Sequence, residues 1–147
     1  MGGDQTGRPA GWLAEASLKY LKPARKRGFF LYTYGMRRGS RRHYTKYREA
    51  VRRHVHARLA HYNRAYGHTY NKVFIRNTKS RWGSCSTRRN LNFNYKVAFL
   101  PAELCDYVIV HELCHLAEFN HSRAFWAQVA RTFPHHRALR RALRAIY

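Results

Sequence analysis

The chain reads DYVIVHELCHLAEFNHSRAFW from Asp106 to Trp126, and this stretch restricts the fold more than any other. His111 and His115 stand four residues apart, so on a helix both imidazoles leave one face and can meet at one point. Glu112 lies ~100° round the helix from His111, close enough to reach a water held by a metal without ligating the metal itself. Ile109, Leu113 and Leu116 fall on the far side, where they can enter a core. Ten histidines are present, so a pair at this spacing means little alone. Two imidazoles in an apolar, buried helix are nevertheless costly without a partner, and a third histidine follows at His121. In a continuous helix His121 would lie ~15 Å beyond His111. The helix must therefore stop near Ala117 or Glu118 and the chain turn back, with Asn120 able to adopt a left-handed conformation and Ser122 able to cap the next helix.

The spacing thus describes a metal centre with two firm ligands, His111 and His115, and a third to be chosen. His121 is favoured because it lies beyond the turn. Glu118 is the rival, as in zinc sites built from two histidines and a glutamate, but a hydrogen bond that orients a histidine suits it better. Cys114, inside the motif, reads as a packing residue rather than a ligand. The ten-residue span from His111 to His121 equals that of the metzincin pattern. That pattern has glycine at the place of Glu118 and a methionine turn downstream, and here both methionines, Met1 and Met36, lie upstream.

The elements around this stretch imply an α+β domain. Tyr44, Tyr47, Val51, Val55, Leu59, Tyr62 and Tyr66 recur at steps of three and four, which predicts a long amphipathic helix from Ser40 to a C-cap at Gly67. Its other face carries Arg41, Arg42, Lys46, Arg48, Arg52, Arg53, Arg58 and Arg64. Strand signals follow in YNKVFIRNT, RWGSCS and LNFNYKVAFL, with a turn at Arg89-Asn90 between the last two, giving a small, mostly antiparallel sheet. Pro101 suits the first turn of the helix that carries the histidines. Two more helices are expected after Ser122 and Pro134. Upstream, residues 1–11 read as a flexible terminus, WLAEASLKYL as a short helix, and Gly28 to Met36 as a strand, so that 12–147 form one domain.

Composition narrows the partners. The net charge is +22, from 29 Lys and Arg against seven acids, which favours a polyanion such as DNA or RNA. Arg41, Arg42, Arg52 and Arg53 are the candidates to face phosphates. No apolar run approaches a membrane span, no signal-peptide core precedes the domain, and the tyrosine-rich face of the long helix suits packing under a sheet better than lipid insertion. Three cysteines without a CxxC pair fit a reducing, cytoplasmic setting.

The segments RWGSCS (81–86), LNFNYKVAFLP (91–101) and the histidine stretch (106–126) together closely resemble the YgjP-like metallopeptidase domain, a relative of the SprT-like zinc proteases. The resemblance runs over about residues 70–133 and implies a zincin-like fold, a zinc ion on His111, His115 and His121, and Glu112 as general base. It also implies a protein or peptide substrate that adds to an edge strand within 91–99. Zinc acidifies its water, Glu112 takes the proton, and the metal polarises the peptide carbonyl. The residue that steadies the oxyanion stays open among tyrosine, histidine and arginine. Because SprT-like relatives cut proteins on DNA, a peptidase working near nucleic acid is the leading expectation. The competing one is a non-enzymatic nucleic-acid-binding protein with a structural zinc, which would need a fourth side-chain ligand and would have no use for Glu112.

Overall fold

The computed structural model describes Ser40–Ile146. The flexible terminus at 1–11, the helix expected at 12–21 and the strand expected from Gly28 to Met36 lie outside the described residues.

Helix α1 (Arg41–Tyr66) begins and ends where its caps dictate. The Ser40 hydroxyl accepts the His43 amide at 3.1 Å, and Gly67, at φ 68°, donates its N–H back to the Asn63 carbonyl at 2.8 Å. That left-handed turn is open to glycine and strained for a residue with a Cβ. Val51, Val55 and Leu59 are buried, and Tyr66 closes the stripe. One arginine departs from the outward face assigned to it. Arg58 is buried, with its Nε on Asp106 Oδ1 at 2.8 Å and its Nη2 on Asp106 Oδ2 at 2.7 Å. The helical wheel could not separate it from its neighbours, because the acid that draws it inward lies 48 residues away.

Three strands form the sheet: β1 (Val73–Arg76), β2 (Gly83–Cys85) and β3 (Leu91–Asn94), in the order β1-β3-β2. It is mixed rather than mostly antiparallel. β1 runs parallel to β3 with Val73 opposite Leu91, and β2 runs antiparallel to β3 with Gly83 opposite Phe93. β3 is therefore the central strand, with Leu91 and Phe93 fully buried, and cannot be the edge that 91–99 was expected to supply. It also stops early. The Asn94 side chain accepts the Lys96 amide at 3.1 Å and donates to the Thr78 carbonyl at 2.8 Å, which turns the chain into a 3-10 helix, Tyr95–Phe99. The turn before β3 sits at Arg89, at φ 58°.

Helix α2 (Ala102–Cys114) starts after Pro101 and is buried on nearly every side, as a helix at the centre of a domain must be. It packs against α1, β2, the 3-10 helix and the two helices that follow, α3 (Arg123–Thr132) and α4 (His136–Ile146). The Ser122 hydroxyl caps α3 by accepting the Phe125 amide at 3.1 Å. Leu139, Leu143 and Ile146 fasten α4 to the core. None of the described helices is long and apolar enough to cross a membrane.

Candidate metal centre

The histidines converge because α2 ends at the right place. Its last helical residue is Cys114, and His115 is the cap. The next amides close tighter, three-residue turns, Leu116 to Leu113 and Ala117 to Cys114, both at 3.1 Å. The chain then reverses through 118–121 without help from Asn120, since Arg89 is the one non-glycine with positive φ among the described residues. This reversal brings His121 Nε2 to 3.1 Å from His111 Nε2. One ring nitrogen from each of His111, His115 and His121 lies within 4.8 Å of the others. Nitrogens bound tetrahedrally to zinc at ~2.0–2.1 Å stand ~3.3 Å apart, so the set needs little closing to hold an ion.

Electrostatics fit a cation as well. Burial, with help from its two histidine neighbours and Arg140, pushes His111 down to about 3. Burial also lowers His115 and His121. All three are held as neutral imidazoles, the form that ligates. His115 is oriented by its Nδ1, which lies 2.9 Å from the backbone carbonyl of Glu118 and donates to it, leaving Nε2 for the site. Glu118 thus orients a histidine through its main chain. Its carboxylate turns away to accept the Ser122 hydroxyl at 3.5 Å.

Glu112 sits beside the trio in a place cleared for it. Burial raises its carboxyl to about 8, and Arg81 opposes that rise. A Cβ built on Gly83 of β2 would stand 2.6 Å from Glu112 Cγ and 2.7 Å from its Oε1. Gly83 is a site residue that motif reading passed over. Its signal was there, since a lone glycine inside a short strand marks close backbone approach. The strand that flanks the centre is therefore β2, whose second edge carries no strand among the described residues.

Phe125 forms the floor. Its ring stacks on His115 at 4.4 Å and meets His111 and His121 edge-on at 4.9 Å each. Trp126 stacks on His121 at 5.5 Å, and His136 stacks on Trp126 at 4.9 Å. No histidine spacing announces these two aromatics, because they come from α3 once it folds back. Cys85 and Cys114 stay outside the chemistry, as burial pushes their thiols up to about 11 and about 12. Of the basic candidates, Arg41, Arg42 and Arg53 are exposed and Arg52 is half-buried. Arg52 is engaged, with Nε on Glu49 at 3.1 Å and Nη1 on the Val73 carbonyl at 3.4 Å. The structure does not gather these four with the histidines.

No curated protein matches the chain significantly. Among solved structures, the crystal structure of the metallopeptidase zymogen of Pyrococcus abyssi abylysin is similar. It has 26% sequence identity and a TM-score of 0.56, and the match covers 60% of this chain and 90% of that one. The profile of the YgjP-like metallopeptidase domain matches residues 27–146, which takes in the long basic helix as well as the histidine stretch. A match over that much of the sequence decides the relationship: the protein belongs to the YgjP-like metallopeptidase family.

Proposed function

We propose that the protein is a zinc-dependent peptidase of the zincin type, with His111, His115 and His121 as ligands and Glu112 as general base. The observation that carries this reading is the convergence of three neutral imidazoles next to a buried carboxyl that the glycine of a neighbouring strand makes room for. Zinc bound there would acidify a water and polarise the peptide carbonyl. In the metal-free protein burial keeps Glu112 protonated near neutrality, and a dication beside it favours the carboxylate that can take the proton. Glu112 then returns this proton to the leaving amine. An extended peptide lying along the edge of β2 that carries no strand among the described residues would pass Gly83, where only hydrogen lies between the strand and the base.

A structural zinc site is closed by a fourth side chain. Among the described residues the metal-capable group consists of the three histidines, with no cysteine or carboxylate as a fourth member, which favours the open, catalytic form. Elemental analysis tests the centre. About one zinc per chain is expected in the wild type and none in His111→Ala, His115→Ala or His121→Ala, while equal zinc in all four would remove the site.

Association with nucleic acid belongs to the same proposal and draws on the +22 charge and on exposed Arg41 and Arg42 at the start of α1. DNA binding should weaken with salt, log K falling by ~0.9 per phosphate for each unit of log salt. Replacing Arg41, Arg42 and Arg53 with glutamine should flatten that slope. A slope unchanged by these substitutions would place the contact elsewhere.

A further inference from the structure

Beside Glu112 a cleft of about 340 Å³ opens between β2 and α4. Its walls carry Arg81 from the β2 side and Arg140 and Arg144 from α4, with Tyr107, His111 and Glu112 of α2 beneath them. Arg140 and Arg144 are one helical turn apart on the same face, and buried Leu143 between them anchors α4 so that both remain at the rim. Arg81 also lines the adjoining groove on the far side of Gly83, so it stands where the two depressions meet.

Among the described residues no salt bridge engages Arg81, Arg140 or Arg144. The described acids are Glu49, Glu103, Asp106, Glu112 and Glu118. Glu49 serves Arg48 and Arg52, Glu103 serves His135, Asp106 serves Arg58, and Glu118 takes the Ser122 hydroxyl. Glu112, the proposed base, is the one acid in the cleft. Arg140 makes its contact with a ring instead, 5.2 Å from the centroid of Trp126, which fixes its guanidinium without neutralising it. A second observation points to a ligand. Tyr107 is 2% exposed and its hydroxyl has no hydrogen-bond partner among the described residues, although it lies in the wall of this cleft. A buried, unpaired hydroxyl is unfavourable, and an incoming acceptor would relieve it.

The geometry points to a carboxylate as that acceptor: the cleft is a subsite for an aspartate or glutamate side chain next to the scissile bond, gripped by Arg81, Arg140 and Arg144 and met from below by the Tyr107 hydroxyl. The enzyme is then a peptidase for acidic segments. Arginine suits the task because its planar fork matches a carboxylate in two-point contact and stays charged at any working pH. This subsite rests on the peptidase reading for its substrate, and adds to it the choice of side chain.

The test uses the full-length, zinc-loaded protein and a peptide mixture degenerate at every position, with products identified by mass spectrometry. Asp and Glu should be enriched about tenfold beside the cut over Asn and Gln, the sum of a few exposed ion pairs. Arg144→Glu alone, which leaves the Trp126 contact in place, should abolish the enrichment, and Arg140→Glu/Arg144→Glu should transfer it to Lys and Arg. Arg141→Glu makes the same change of charge on the same helix away from the cleft, and should keep the acidic preference. Equal use of acidic and basic residues by the wild type, or a preference that Arg141→Glu removes as fully as Arg144→Glu, would overturn the subsite.

If no peptide is cut at all, the peptidase reading fails by itself. Binding of a fluorescent Glu-rich peptide and its Lys-rich counterpart to Glu112→Gln then decides the subsite separately. Acidic binding weakened about tenfold by Arg144→Glu but not by Arg141→Glu supports it. Equal binding of the two peptides, or a thymidine oligonucleotide that depends on Arg144 when the acidic peptide does not, rejects it.

Discussion

Helix α2 buries two polar clusters of opposite character. At Asp106 a carboxylate meets Arg58 in two parallel bonds of 2.8 and 2.7 Å, both partners are 6% exposed, and Arg58 also donates to Tyr62 at 3.1 Å. Less than two turns further on, Glu112 is equally buried at 6% but has no salt bridge, and His111 Nδ1 and the Tyr107 hydroxyl are left without partners among the described residues. The first cluster is satisfied and therefore inert. The second holds groups away from water in forms that favour an incoming ion or acceptor. A buried polar residue is informative about function when its neighbours fail to complete it, and the contrast is drawn here along one helix.

Breaking each cluster should give opposite signatures. Glu112→Gln should lower peptidase activity ~10²–10⁴-fold, the usual worth of a positioned base, while zinc content and thermal stability hold. A parallel loss of fold and activity would make Glu112 structural. Asp106→Ala should do the reverse. Stranding Arg58 in the core costs about 3–5 kcal/mol, visible as a shift in the urea midpoint, whereas replacing both partners with apolar residues of similar size should restore most of it. An Asp106→Ala protein of wild-type stability would refute the closed-pair account.

Gly83→Ala sharpens the boundary between the clusters. The added methyl would stand 2.6 Å from Glu112 Cγ, so the carboxyl proposed as base must move. A displacement near 1 Å can lower the rate by ~10²-fold, with zinc retained because the ligands are elsewhere. Smallest of all should be Glu118→Ala. The carbonyl that orients His115 belongs to the main chain, so zinc affinity measured against a chelator should change by about twofold or less. Release of the metal by this variant would make Glu118 a ligand and displace His121 from that role.

The comparison also marks how far the sequence could be read. Helix α1 was legible to its ends because Ser40 and Gly67 are local signals, and the pairing of His111 with His115 followed from helical spacing alone. Return of His121 was legible as a need, since no continuous helix could bring it back. What stayed hidden depends on pairs distant in sequence. Arg58 looked like its outward neighbours until Asp106 claimed it. β3 looked like an edge, because which strands pair is not written in any one of them. Its premature end lies in the side chain of Asn94, whose partners at Thr78 and Arg81 come from another loop.

The end of α2 at Cys114 has an electrostatic consequence of its own. The aligned peptide dipoles of an α-helix sum to about half a negative elementary charge at the C-terminus. In this chain that pole falls at His115, itself one of the three converging imidazoles. A protein with 29 basic side chains and seven acidic ones would be expected to repel a dication. The backbone adds a local negative potential to that of Glu112, and because it is built from peptide groups it neither titrates nor can be removed by substituting a single residue.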